Sequence, residues 1–255
     1  RAGTHDVVEN ARCRILPEEI DAAKDAVIDY VNQYRVSVYD ETTGKGLVRH
    51  IYVRVNQKGE SLCCVVINGK QAPREPELAA YVCAAVPHTV GVLVNSNTKR
   101  GNVILGEKYR TLWGQDFLMD TLCGLAFKLS VPSFYQVNHD QAEVLYGRAL
   151  AYAGLTGAET VVDLYCGIGT ITLCLARQAG RVIGAEIVPA AIRDARENAA
   201  RNHIENAEFF CGDAAEAAAR LEAEGLRPDV ITVDPPRKGL APEVIGSIAA
   251  MGPER

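Results

Sequence analysis

The chain has little of what would announce a function from its bulk properties. No apolar run approaches the ~20 residues a bilayer-spanning helix needs, so no membrane span is expected. The opening stretch, RAGTHDVVENARC, is not read as a signal peptide. An excess of one charge is missing as well: 27 basic side chains face 32 acidic ones, for a net charge of −5, which excludes a surface that binds polyanions everywhere. A nucleic-acid surface would have to be local and would sit better in the first half. Residues 1–130 hold 16 basic and 15 acidic side chains, whereas residues 131–255 hold 11 and 17. The eight cysteines include no C-x-x-C pair, and most lie in apolar segments where cysteine acts as a small hydrophobe. A disulfide framework is therefore not expected, and a reducing cytoplasm is. Internal repeats and low-complexity tracts are absent. So is an initiator Met, and the chain reads as a piece of a longer protein.

What is present falls into two patterns. Residues 17–34 read as a helix, opened by Pro17 with Glu18, Glu19 and Asp21 in its first turn. The period then changes to two. RVSVYD, GLVRHIYVRVN and SLCCVVING read as strands, a helix at 75–86 follows, and then a strand at 90–95. This half is expected to be an α+β domain, residues 1–128, around an antiparallel sheet. From about residue 136, helices at 140–153, 170–179, 189–202 and 213–224 alternate with strands at 160–164, 181–185, 207–211 and 228–233. Such alternation means a parallel sheet with right-handed crossovers, hence an α/β, Rossmann-like domain over residues 129–255.

In an open parallel sheet, ligands bind at the carboxyl ends of the strands beside the switch point. The turn after the first strand, in VVDLYCGIGTITLCLA, is that place. Gly167 and Gly169 let a ligand approach the backbone, and Thr170 can cap the next helix. The third glycine of a dinucleotide fingerprint is replaced by Thr172, which argues against a pyrophosphate. Glu186 ends the second strand nineteen residues after Gly167, placed to accept from both ribose hydroxyls. Asp213 follows the third strand, where a carboxylate can accept from an adenine amino group, and Asp234 follows the fourth in DPPRKG. An adenosyl group without phosphates fits this set, and the ligand expected is S-adenosylmethionine. Cys166 is expected to pack beneath the glycine loop, because Asp163 nearby opposes a thiolate. Tyr165 can flank the cofactor. Arg237 and Lys238 at the mouth suit an acceptor that bears phosphate, or else are a solvated loop.

Four stretches, SFYQVNHDQAEVLY, VVDLYCGIGTITLCLA, VIGAEIVPAAIRDARENAARN and DVITVDPPRKGL, together resemble the RNA uracil-5 methyltransferase family. The F-x-Q-V-N element is the specific part. The resemblance is strong over about 127–252 and looser before that. It implies 5-methyluridine formation in RNA, ribosomal RNA ahead of transfer RNA, by a protein that is monomeric when full length. Gln136, Tyr165, Glu186 and Asp234 fall on the family's cofactor-contacting positions, with Asp213 a fifth. The implied mechanism adds a cysteine thiolate to C6 of a flipped uracil so that C5 becomes nucleophilic. Asp234 could also bind the uracil. The family's nucleophile follows the helix after D-P-P, and none of the eight cysteines occupies that position. The chain alone is therefore expected to be inactive, and an N-terminal RNA-binding β-barrel is expected to be missing. Many members hold a four-iron–four-sulfur cluster, for which Cys13 is a candidate ligand. Buried packing is the alternative for Cys13. In the first half, His50, Tyr52 and Arg54 share one strand face that could stack on RNA bases, or could be an ordinary wet face. Two rival readings stay open: an inactive RNA-binding fragment, and a methyltransferase with a non-RNA acceptor.

Overall fold

The computed structural model describes residues 12–255, so most of the opening stretch read against a signal peptide lies outside the described residues. Two compact units are present, one ending at Leu118 and the other spanning Met119–Arg255.

In the first unit, α1 (Glu18–Gln33) begins behind Pro17 with Glu18, Glu19 and Asp21 in its first turn, as the charge preference of a helix N-terminus dictates. The strands β1 (Val48–Val55), β2 (Ser61–Ile67), β3 (Thr89–Ser96) and β4 (Lys108–Gly114) form one sheet in that order. Helix α2 (Glu75–Ala85) connects β2 to β3, and a helical crossover brings the next strand in parallel. The sheet is therefore mixed, where the sequence suggested a wholly antiparallel one. Cys63, Val65, Ile67, Val92 and Val94 bury one face against Val27 and Tyr30 of α1 and Leu78 and Val82 of α2. RVSVYD forms only isolated bridges, Val38 with Val48 and Asp40 with Lys45.

The division between units falls inside β5 (Phe117–Leu122), which pairs with β6 (Leu125–Ser130). The expected boundary at 128/129 would cut this hairpin within β6 and leave most of it in the first domain. Its second strand instead packs on a helix of the second unit. The second unit continues with α3 (His139–Ala153), β7 (Thr160–Leu164), α4 (Thr170–Ala176), β8 (Arg181–Glu186), α5 (Pro189–Arg201), β9 (Ala207–Cys211), α6 (Ala214–Ala223), β10 (Val230–Val233) and α7 (Pro242–Met251). All strand pairs in its four-stranded sheet are parallel, in the order β10-β7-β8-β9. Both faces of β7 are covered. Val162 and Leu164 pack toward Ala217 and Val244 of α6 and α7, while Val161 packs toward Ala153 and Leu175 of α3 and α4. A strand buried on two faces has to be apolar throughout, which is why TVVDL reads as a run with one conspicuous acid.

Candidate functional site

The chain leaves β7 toward one side, through β8 and β9, and returns to the other side as β10, so the switch point lies between β7 and β10. The segment that follows β7 is conformationally demanding. Tyr165 has φ +71°, a left-handed value that costs a bulky residue on the order of 1–3 kcal/mol and persists only where its surroundings hold it. Gly167 (φ +56°) and Gly169 (φ +83°) follow. A Cβ on Gly169 would approach the Phe209 ring and Ala195 at 3.3 Å, so glycine is required there by both backbone and space.

Tyr165, Glu186, Asp213 and Asp234 lie at or just past the carboxyl ends of the four strands, while Gln136 lies in a loop. Glu186, at the end of β8, bridges two loops: Oε2 accepts from the Gly167 N–H (3.2 Å) and Oε1 from the Val188 N–H (2.9 Å). Tyr165 and Asp213 are near enough that the carboxylate, together with burial, pushes the phenol up, burial being the larger cause. Asp213 is exposed and caps α6, accepting from the Ala215 N–H at 2.9 Å. Asp234 is exposed just past β10. Gln136 is half-buried in the loop between β6 and α3, beside Phe134 (71% exposed) and Val137 (94% exposed). Cys166 is buried, its sulfur lies where a Cβ on Gly184 would come within 3.0 Å, and burial pushes its thiol up. That is packing, as expected, and no nucleophile.

Four side chains that the sequence reading did not assign hold this site together. Asp163 is the acid inside β7 and is fully sequestered. Thr172 donates to its Oδ2 (2.5 Å) and Thr232 of β10 to its Oδ1 (3.0 Å). Burial raises its pKa to about 6, against the lowering effect of the two threonines, and the Asp234 charge adds to the rise. Tyr146 of α3 bonds Thr170, the first residue of α4, at 3.0 Å. The one signal for Asp163 in the sequence is an acid inside an apolar run.

The donor set fits S-adenosylmethionine: a carboxylate at the β8 end for ribose hydroxyls, a second carboxylate after β9, an aromatic after β7, and open space beside Gly167. Cys13 is half-buried, with its N–H on Asp21 at 3.3 Å, and among the described residues no group of three or more His, Cys, Asp or Glu could hold a metal.

Comparison with known proteins agrees with this geometry. Residues 155–247 match the family model described as a methyltransferase domain. The chain is 42% identical over 253 residues to an uncharacterized RNA methyltransferase of Halalkalibacterium halodurans, covering 99% of this chain and 55% of that protein. It is 39% identical over 256 residues to an uncharacterized RNA methyltransferase of Staphylococcus aureus, covering 56% of it. The chain thus spans about half the length of the curated relatives it matches. Among solved structures it is similar to Pyrococcus abyssi tRNA (uracil-54, C5)-methyltransferase in complex with S-adenosyl-L-homocysteine. That likeness has a TM-score of 0.79 at 23% identity, over 98% of this chain and 59% of that one, and it shows a shared fold. The second unit is a Rossmann-like S-adenosylmethionine methyltransferase domain. By sequence, the chain groups with the RNA methyltransferases.

Proposed function

We propose that the protein to which this chain belongs methylates C5 of a uridine in RNA, with S-adenosylmethionine as methyl donor. The observation that carries the reading is the convergence of Gly167, Glu186, Asp213 and Asp234 on the carboxyl ends of four parallel strands, with the F-x-Q-V-N loop in the same unit. The names of the relatives support an RNA acceptor, and the Pyrococcus protein's name supports uracil C5.

The cofactor supplies an electrophilic methyl group. In this reading Glu186 accepts from the ribose hydroxyls, exchanging its bond to the Gly167 N–H for them, and Asp213 accepts from the adenine amino group. Tyr165 flanks the adenosine, while Gln136 and Asp234 sit where donor and uracil meet. Uracil C5 is too weak a nucleophile unaided, so the reading includes a cysteine thiolate that adds to C6 and leaves after a base removes the C5 proton. That cysteine is assigned to none of the eight here. Burial pushes the thiols of Cys63, Cys64, Cys166 and Cys174 up, and Cys211 is the last residue of β9, on the opposite side of β8 from β7 and β10. His50, Tyr52 and Arg54 of β1 are assigned to RNA contact, with the Arg54 guanidinium 5.4 Å from the Tyr52 ring centre.

Full-length protein incubated with methyl-labelled S-adenosylmethionine and unmodified total RNA is expected to place label in 5-methyluridine after digestion to nucleosides. Label only in methylated adenosine, guanosine or cytidine would reject the assignment.

A further inference from the structure

Helix α5 and its C-cap, Asn202, carry three polar side chains at a four-residue spacing, and each meets the backbone or a hydroxyl of alternate residues on β6. Asn202 takes both polar groups of Ala126: its Oδ1 accepts from the N–H (2.8 Å) and its Nδ2 donates to the carbonyl (2.7 Å). Asn198 Oδ1 accepts from the Lys128 N–H at 2.8 Å. Asp194 Oδ2 accepts from the hydroxyls of Ser130 and Ser133, both at 2.9 Å. The match has a simple origin. Four residues of helix advance about 6.0 Å, and two residues of strand advance about 6.6 Å. One helix face can therefore read three successive same-facing positions of a strand before the two drift apart, so α5 stands in for a missing strand along β6.

Asn198 does more than close an edge. It is fully buried, and its Nδ2 donates to the carbonyl of Ile168, the middle residue of the glycine loop, at 3.2 Å. The Lys128 N–H can only donate and the Ile168 carbonyl can only accept, so the carboxamide has a single orientation that satisfies both. No other side chain of the zipper touches both the glycine loop and the strand that leads to Gln136. Ser130 and Ser133, held by Asp194, carry the constraint to within three residues of Gln136.

We infer that Asn198 is a positioning residue that sets the register between the glycine loop and the Gln136 loop, the two halves of the cofactor site. This deepens the methyltransferase reading and rests on it for the identity of the ligand.

The test compares Asn198→Asp with Asn202→Ser in the full-length protein. The carboxylate keeps the bond from Lys128 but faces the Ile168 carbonyl with an acceptor. An unpaired buried carbonyl is costly, so amide exchange across 133–138 and 166–170 should quicken about tenfold and S-adenosylmethionine should bind about tenfold more weakly at pH 8. As pH falls the introduced carboxyl protonates and can donate again, so the deficit relative to wild type should shrink. Asn202→Ser should lower Tm while leaving loop exchange and affinity within about twofold. Unchanged loop exchange in Asn198→Asp, an equal deficit in Asn202→Ser, or a deficit independent of pH would overturn the inference. Should Asn198→Asp not fold, Asn198→Ser is read by the same exchange comparison. If wild type takes up no S-adenosylmethionine, the proposed function fails, and exchange alone decides the role of Asn198.

Discussion

The two outer strands of the methyltransferase sheet face solvent under opposite terms. Along β9, charge finishes the edge. Arg196 donates to the Phe209 carbonyl (2.8 Å), Arg181 grips Glu208 with two nitrogens (2.8 and 2.9 Å), and Arg220 lies 4.9 Å from the Phe210 ring centre. Strand β10 itself, VITV, carries no charged side chain, although Asp234 and Arg255 border the groove beside it. The Ile231 N–H finds the Arg255 carbonyl at 2.9 Å, and beyond it the strand borders a groove of about 300 Å³ lined by Leu145, Tyr152, Ile171 and Val233. Natural sheets usually blunt an edge with charge, because an apolar one is a template for another strand. The blunted edge here lies away from the switch point, and the open one ends in Asp234.

The largest effect should come from the acid that ties the open edge to the sheet. Asp163 joins β10 to α4 through Thr232 and Thr172, and its folded pKa of about 6 lies above the ordinary 3.8. A raised carboxyl means that the folded state holds a proton which the unfolded state has already released. Its contribution is thus present below about pH 4 and is lost as pH rises through about 6. The rise corresponds to on the order of 3 kcal/mol for this fully buried group. Urea unfolding of Asp163→Asn and wild type should show the gap moving in the variant's favour by about that amount between pH 4 and 7. A constant gap would mean that the β10 side is not held through a strained carboxyl.

Next in size is the consequence of leaving the edge apolar. Val233 is 39% exposed and Tyr152 78% exposed, and both are available to a second molecule. The 255-residue chain should associate with itself in a concentration-dependent manner. Val233→Lys, which places charge on the edge, should weaken that association at least tenfold in sedimentation velocity, equivalent to about 1.4 kcal/mol or more. A monomer at every concentration before any substitution would show that the apolar rim is harmless.

What could be read in advance follows the same division between local and distant causes. Strand 160–164 was legible to the residue, because a strand buried on both faces is an apolar run, and 207–211 was legible from its aromatic pair bounded by the glycine and acid that follow. The acids at the strand ends were legible for the same reason. β4, KYRTLWG, was not, because most of its residues are exposed and no apolar period marks it. RVSVYD misled in the other direction: it alternates cleanly, yet Arg35 turns left-handed at φ +50° and only single bridges form. β6 escaped notice because the partners of its polar positions are side chains of α5 some seventy residues on, and no window of sequence contains both. The role of Asp163 was hidden likewise, since Thr232 lies 69 residues away.

The smallest effect is expected on the finished edge, and it separates two meanings of "finished". Arg196→Ala removes one exposed hydrogen bond whose carbonyl water can take over, so stability should fall by only about 0.5–1 kcal/mol. The Arg181–Glu208 pair is also solvent-exposed and contributes about 0–1 kcal/mol. If these groups serve mainly to hold the fold, combining Arg196→Ala with Glu208→Val should cost about the sum of two small terms and do nothing else. If they serve to keep β9 from pairing, the same double change should cost as little in stability and yet create a new contact between molecules. The two meanings part in a Val233→Lys background, where the β10 edge is already charged. Sedimentation should then show self-association return with the β9 double substitution, because the edge of Ala207–Cys211 would have lost the Arg196 and Glu208 side chains that blunt it. A double variant that stays monomeric in that background would assign the quiet behaviour of β9 to its shape, and the contrast between the two edges would no longer be one of charge.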